Sequence, residues 1–162
     1  ADEIELGHWN ERDVPVRSLA AGQSLTRKGQ RFYALSPDKD TGDENDNSLV
    51  LYSEIGPLAS LFTGDISTAR ERQLIQAYPN IKLDLLKVAH HGSNTSTDEE
   101  LLKTYRPNLA LIGVGKNNRY GHPAKEVLER LDAYDVEIYR TDQAGAIQFF
   151  YRGDQLFLRT FK

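Results

Sequence analysis

Short apolar runs of four to seven residues, each followed by a polar or glycine-containing segment, constrain the fold of this chain more than any other feature. Residues 83–89 and 109–114 are strand candidates of this kind, and 109–114 is apolar enough for a strand buried on both faces. Between them, Thr97 and the three acidic residues after it mark the start of a helix. Strands and helices that alternate in this way predict an α/β layered domain.

The segments on either side continue the pattern. Two apolar runs around a Gly-Pro turn, 48–53 and 59–63, predict an antiparallel hairpin. Ser67 is a candidate cap for an amphipathic helix over 68–77, and Pro123 stands at the start of a third helix. The remaining strand predictions are 32–35, 136–139, 145–151 and 155–161.

Composition limits the class of protein. The chain has 162 residues, of which 39% are hydrophobic, and this fits one domain over residues 1–162 with no second domain. Cysteine is absent, which excludes disulfides and thiolate metal sites, and the formal net charge of −4 argues against a broad electrostatic hold on nucleic acid. No apolar run reaches the ~20 residues of a membrane-spanning helix. Methionine is absent even at position 1, so we expect a processed protein or a piece of a longer one.

Three polar clusters follow strand candidates, at the edge where α/β folds usually carry their sites. The first is 63–65, in which Asp65 stands at a strand end. A carboxylate there can bridge two divalent cations, because each oxygen can bind a different metal ion. The alternative is that Asp65 is a turn residue before the helix cap at Ser67.

The second cluster is 90–93, where two adjacent histidines follow an apolar strand. Neighbouring strand residues point to opposite faces, so we expect one imidazole to face the site and the other to pack. Neutral imidazole is a common metal ligand and a proton shuttle, while a hydrogen-bonded structural pair is the alternative. Ser93 and Asn94 could hold a phosphate or cap the next helix.

The third cluster is 115–123. Lys116 and Arg119 are cations, Asn118 is a neutral donor, Tyr120 can stack on a base or sugar, and His122 stands at a helix start. Such a set predicts a phosphodiester cradle. A polar strand-to-helix connection would need similar residues, and it remains the alternative.

Together, the segments 61–65 (LFTGD), 86–93 (LKVAHHGS) and 115–123 (GKNNRYGHP) resemble the metallo-β-lactamase superfamily. More narrowly, they are similar to the C-terminal soluble domain of the ComEC family, the bacterial competence proteins that form a DNA-uptake channel. The resemblance implies a metallo-β-lactamase-like layered αββα sandwich. It also implies a hydrolase that degrades the DNA strand that is not imported. The resemblance further implies that the intact domain binds two divalent metal ions, either zinc or manganese.

The resemblance also assigns roles. Asp65 is similar to the carboxylate that bridges the two metals, and His91 to a late histidine ligand, while His90 and His122 would act close to the reacting centre as proton-transfer groups. Its implied partners are single-stranded DNA and the rest of a channel protein in the cytoplasmic membrane, with this domain on the outer face. The substrate-binding residues would be Ser93, Asn94, Lys116, Asn118, Arg119 and Tyr120.

The chain departs from the superfamily in one respect. Its only histidines are 8, 90, 91 and 122, so it has no early His-x-His-x-Asp-His run, and 45–47 (NDN) stands where many members have another histidine. Two ligands are fewer than the three that a catalytic metal normally needs. We therefore expect a domain incomplete in its N-terminal half, binding metal weakly and inactive alone, with exposed strand edges that favour a homodimer. A small phosphoester hydrolase and a non-catalytic module are the alternative functions.

Overall fold

A seven-stranded β-sheet organises residues 18–153 and 155–162, which are those that the computed structural model describes. Its strands lie side by side in chain order. The first four strands pair antiparallel, and β4 to β7 pair parallel. The strands are β1 (Ser24–Arg27), β2 (Gln30–Ser36), β3 (Val50–Ile55), β4 (Leu58–Phe62), β5 (Leu85–Lys87), β6 (Leu109–Ile112) and β7 (Glu137–Arg140).

Helices connect the parallel strands, as the alternating pattern predicts. α1 (Thr68–Ala77) follows β4, α2 (Glu99–Tyr105) follows β5 and α3 (Lys125–Ala133) follows β6. Ser67 and Asp98 cap the first two, because their side chains accept hydrogen bonds from the amides of Arg70 and Glu100. The α/β prediction and the helix over 68–77 are therefore confirmed.

The hydrophobic core lies between the sheet and these three helices. Side chains of β4, β5 and β6 share one buried cluster with side chains of α1, α2 and α3, so the helices cover the same face of the sheet. The main members are Leu61, Leu86, Ile112, Leu74, Leu101, Leu102, Val127 and Leu131.

The other face of the sheet is less covered. Along β6, Ala110 and Ile112 are buried whereas Leu109 and Leu111 are half-buried, because only the former face the helices. The strand predicted within 109–114 is therefore confirmed over Leu109–Ile112, but its burial on both faces is wrong.

A two-stranded hairpin lies against that second face. A one-turn helix, α4 (Thr141–Ala144), leads from β7 into β8 (Ala146–Arg152), which pairs antiparallel with β9 (Gln155–Phe161). Ile138 of β7 packs against the helix-side core, whereas Tyr139 meets the ring of Phe149 in β8 with centroids 6.0 Å apart. Because neighbouring strand residues point to opposite faces, this contact places the hairpin opposite the helices.

No helix in the described part of the chain is long and apolar enough to span a membrane. The single domain over 1–162 stays a prediction.

Candidate functional site

The turns that follow β4, β5 and β6 meet at one edge of the sheet. The amide of His90 donates to the carbonyl of Gly64 at 3.1 Å, which joins the turn after β4 to the turn after β5. The amide of Ala124 donates to the carbonyl of Gly92 at 2.8 Å, which adds the loop after β6. The three polar clusters, separate in sequence, therefore form one surface at the carboxyl ends of parallel strands.

The backbone at Gly64 places Asp65. Gly64 has a φ of +59°, and a Cβ at this position would lie 2.5 Å from the Cβ of Ser48. The hydroxyl of Ser48 accepts a hydrogen bond from the amide of Asp65 at 3.1 Å. No donor among the described residues bonds to the half-buried carboxylate of Asp65, so that carboxylate is available to another partner.

Asp46 supports the same turn from the loop before β3. Its two carboxylate oxygens accept hydrogen bonds from the amide and the hydroxyl of Ser67, at 2.7 and 3.0 Å. This aspartate belongs to the segment 45–47 (NDN). Since both oxygens are engaged with Ser67, Asp46 acts as a structural brace for the start of α1.

The two adjacent histidines lie in a turn, and this corrects the strand-based expectation. β5 ends at Lys87, and His90 and His91 have left-handed φ values of 47° and 55° within the 3₁₀ turn Ala89–Gly92. Strand alternation therefore does not decide their directions. His90 is half-buried and His91 is exposed.

The ring of His91 is oriented by the exit of β6. Its Nδ1 lies 2.6 Å from the carbonyl oxygen of Gly113, so this nitrogen carries the proton of the neutral ring. Nε2 is then the free acceptor. A metal-ligating histidine is commonly oriented in this way by a carbonyl group.

Three imidazoles form a cluster beside this ring. The ring centroid of His90 lies 6.5 Å from that of His91 and 5.9 Å from that of His122. Partial burial lowers the pKa of His122, and the proximity of the imidazoles of His90 and His91 lowers it further. The geometry thus brings together His90 and His122, the two predicted proton-transfer groups.

The loop 115–123 is fixed by Asn118. Its amide nitrogen donates to the carbonyls of Gly115 and His122, at 3.1 and 2.8 Å, and its oxygen accepts from the amide of His122 at 2.9 Å. With three hydrogen bonds inside the loop, Asn118 positions His122. Its predicted contact with substrate would have to be made in addition to these bonds.

The outer part of this loop is open to solvent. Tyr120 is 72% exposed, its ring stacks on His122 at 5.9 Å, and the guanidinium of Arg119 lies 5.7 Å from its centroid. Lys116 is exposed nearby in sequence. A cavity of about 420 Å³ lies beside the loop and is lined by His91, Gly113, Val114, Gly115, Asn118, Tyr120 and His122.

Ser93 and Asn94 differ in their access to ligand. Ser93 is 6% exposed, and its hydroxyl lies 3.0 Å from the hydroxyl of Thr95, so it serves the turn. Asn94 is exposed. Contact of either residue with substrate stays a prediction.

Lys87 belongs to this surface, and sequence reasoning missed it. It is the last residue of β5, it is half-buried, and its ammonium donates to the carbonyl of Val88 at 2.8 Å. Burial lowers the pKa of Lys87, while the charge of Asp65 acts in the opposite direction. The available signal was a single lysine inside the apolar run 83–89.

A buried clamp behind the site was also missed. The carboxylate of Glu71 accepts hydrogen bonds from the backbone amides of Thr97 and Asp98, both at 2.7 Å. The guanidinium of Arg130 donates hydrogen bonds to the carbonyls of Ser96 and Thr97. Glu71 is 1% exposed, and burial raises its pKa to about 7. These bonds fix the segment between the histidine turn and α2.

The donor set falls short of a catalytic metal centre. Within residues 18–153 and 155–162, no group of three or more His, Cys, Asp or Glu side chains is placed to hold a metal ion. The free carboxylate of Asp65 and the free Nε2 of His91 are suitable donors, but a catalytic metal normally needs three. The described residues therefore do not make up such a centre by themselves.

Comparison with known proteins gives close relatives, although no protein-family model matches the chain. It is 41% identical over 152 residues to ComE operon protein 3 of Bacillus subtilis, covering 93% of this chain and 20% of that protein. It is 37% identical over 151 residues to competence protein ComA of Neisseria gonorrhoeae, covering 84% of this chain and 22% of that protein. It is 36% identical over 137 residues to recombination protein 2 of Haemophilus influenzae, covering 84% of this chain and 17% of that protein. The chain thus spans about a fifth of the length of the curated relatives it matches.

Proposed function

Because the chain belongs to the ComEC competence family, we propose that it is part of a DNA-uptake protein and contributes one side of a phosphodiester-hydrolysing site that degrades the non-imported strand. The observation that carries this proposal is the meeting of three turns at one sheet edge. The amide of His90 bonds to Gly64 and that of Ala124 to Gly92, so the segments that carry the free carboxylate, the three imidazoles and the three cations meet at this edge. Parallel sheets usually carry their sites at this edge.

Each group has a task in phosphodiester chemistry. Lys87, Lys116 and Arg119 would bind phosphate oxygens, because guanidinium and ammonium groups form charge-assisted hydrogen bonds with them. The exposed ring of Tyr120 would stack on a base, and His90 and His122 would transfer protons beside the scissile bond. Asn118 would hold His122 in place through its three loop hydrogen bonds.

Asp65 and His91 would be this chain's donors to a divalent metal centre of zinc or manganese ions. The remaining donors would come from parts of the protein outside the described residues. The Bacillus subtilis relative is about five times longer than the region that matches this chain. The shortage of donors favours a second candidate for the chain alone, a non-catalytic module that awaits those parts.

The fold and location of the whole protein follow the same proposal. We infer that the sheet is one layer of a metallo-β-lactamase-like αββα sandwich. Support comes from the three helices α1 to α3, which in the described part of the chain cover one face of the sheet. The partners would be single-stranded DNA and the rest of a channel in the cytoplasmic membrane, with this domain on the outer face.

The test uses the longer protein that contains this chain, because the donor set here is incomplete. We expect Asp65→Ala to reduce manganese-dependent cleavage of single-stranded DNA at least 100-fold and Lys87→Met to reduce it at least tenfold. Asp132→Asn, an exposed aspartate on α3, is the matched control and should retain full activity. Unchanged cleavage by Asp65→Ala would refute the proposal.

Two further measurements separate the alternatives. A clear preference for small phosphoesters over single-stranded DNA would select a small phosphoester hydrolase. Calorimetric titration of the 162-residue chain with Zn²⁺ and Mn²⁺ should give weak binding that Asp65→Ala and His91→Ala abolish. Tight binding by this chain would contradict the non-catalytic module.

A further inference from the structure

The outward face of the β8–β9 hairpin carries aromatic and arginine side chains together. In the antiparallel register, Phe150 lies opposite Phe157, Arg159 opposite Gln148 and Phe161 opposite Ala146. Since side chains alternate along a strand, these residues and Arg152 share one face. The alternate residues Phe149 and Tyr151 contact the main sheet, at Tyr139 and Gly56, so the Phe and Arg face points away from it.

The side chains on this face are ordered against one another. The rings of Phe150 and Phe157 stack with centroids 5.6 Å apart and planes at 19°. The guanidinium of Arg159 lies 5.5 Å from the ring of Phe150 and 5.8 Å from that of Phe161, and Arg152 lies 5.7 and 5.9 Å from Phe150 and Phe157. The guanidinium groups therefore lie over the aromatic rings, and Phe157 and Phe161 remain 36% and 49% exposed.

The charge of this face differs from that of the chain. Residues 146–162 contain three basic side chains and one acidic one, whereas the whole chain has a formal net charge of −4. Among the described residues, neither Arg152 nor Arg159 forms an ion pair. Exposed rings with cations between them match a ligand that alternates flat bases with phosphates.

We propose that this face of the hairpin, defined by Phe150, Arg152, Phe157, Arg159 and Phe161, binds single-stranded nucleic acid by base stacking and phosphate contacts. The face is about 20 Å long at ~3.3 Å per residue, which is enough for a few nucleotides. The chemistry resembles that of sheets that stack bases on aromatic side chains. A second copy of the chain fits less well, because a two-fold contact would bring the arginines of both copies together.

The position of the face links it to the candidate site. The end of the hairpin at Ala146 and Phe161 directly follows α4, and the hydroxyl of Thr141 in α4 bonds to the carbonyl of Val114 at 2.8 Å, beside the cavity. A strand held in the cavity could therefore continue along the hairpin. The inference rests on the proposed function only for the class of ligand, since the hairpin would bind without any hydrolysis.

The test is fluorescence anisotropy of the 162-residue chain with a labelled oligothymidylate, in EDTA so that metal plays no part. We expect Phe157→Ala and Arg159→Gln each to weaken binding about tenfold. Arg159→Gln should also reduce the slope of log affinity against log salt by about 0.7, the loss expected for one phosphate contact on a single strand. The matched control is Arg31→Gln, since Arg31 also lies over an exposed ring, that of Tyr33 at 5.9 Å, but on β2.

Equal affinity and salt slope for the parent and Arg159→Gln would overturn the inference. So would a dimer, seen by light scattering, that Phe157→Ala dissociates without any effect on oligonucleotide binding. Asp132→Asn should bind the oligonucleotide as the parent does. Loss of cleavage by Asp65→Ala in the longer protein with unaffected binding by the hairpin variants would therefore retain the proposed function and reject the hairpin.

Discussion

The α-carbon of Gly92 lies against Pro123, so that a Cβ added to the glycine would be 2.6 Å from the Cβ of the proline. Gly92 ends the histidine turn, and Pro123 directly follows His122. The contact therefore sets the distance between the two segments that carry the three imidazoles. Gly92 also has a φ of +83°, a conformation that side chains disfavour.

Gly92→Ala should destabilise the protein by about 3 kcal/mol. Left-handed backbone accounts for about 1–2 kcal/mol, and the overlap with Pro123 adds about 1–3 kcal/mol of strain. The measurement is the free energy of unfolding in urea. Gly29→Ala is the control, because Gly29 has a φ of +81° and no atom within 4 Å of the added Cβ. Equal costs for the two variants would show that the contact with Pro123 does not matter.

Glu71 should make stability depend on pH. Burial raises its pKa to about 7 against hydrogen bonds from the amides of Asp98 and Thr97, which lower it. The folded chain therefore holds this proton more tightly than the unfolded chain. Stability from Glu71 is fully present below about pH 4.5 and is lost as pH rises through 7, by up to about 3 kcal/mol at ~1.36 kcal/mol per pKa unit.

Glu71→Gln should remove this part of the pH dependence, as measured by urea unfolding between pH 5 and 8. The variant loses one acceptor for two buried amides, so we also expect it to be less stable than the parent at pH 5. Glu126→Gln, at an exposed position of α3, serves as the control and should keep the parental slope. An identical slope in Glu71→Gln would assign the pH dependence to other groups.

Asp46→Ala should cost about 1 kcal/mol, because Ser67 loses the acceptor for both its amide and its hydroxyl. Amide hydrogen exchange should increase at the start of α1, where the brace acts. Glu44→Ala is the comparison, since Glu44 is exposed in the same loop. If both variants unfold at the same urea concentration, the brace contributes nothing.

Self-association through strand edges stays a prediction from the sequence, and β1 is its most accessible route. Among the strands of the described residues, β1 pairs with β2 alone, and all four residues of β1 are exposed. We expect the mass measured by light scattering to rise above 18.3 kDa with concentration, and Leu25→Lys to suppress that rise. Leu49→Lys is the control, because Leu49 is equally exposed at 40% but precedes β3. A constant 18.3 kDa would reject the dimer.

Local signals predicted most of the secondary structure. The helix over 68–77 needed only a cap at Ser67 and an amphipathic pattern, and the hairpin of β3 and β4 needed only a Gly-Pro turn between two apolar runs. Burial on both faces of β6 was wrong, because apolar composition does not reveal which face the helices cover.

The site was predicted less completely, for a physical reason. The clusters could be placed at strand ends, but the left-handed backbone of His90 and His91 depends on contacts with Gly64 and Gly113, which lie far away in sequence. Glu71 carried no signal at all. A glutamate in an amphipathic helix is expected to face solvent, and only the structure shows that the loop at Thr97 covers Glu71.

The hydrogen bonds that join the turns after β4 and β5 are made mainly by backbone groups. The hydroxyl of Thr63 donates a hydrogen bond to the carbonyl of Lys87 at 2.6 Å, and the amide of His90 donates one to the carbonyl of Gly64. Neither bond uses the side chain of Asp65, Lys87 or His91. The scaffold and the reactive groups can therefore change independently during evolution. A lineage could exchange a carboxylate, an ammonium or an imidazole at these positions and acquire a different reaction on the same frame.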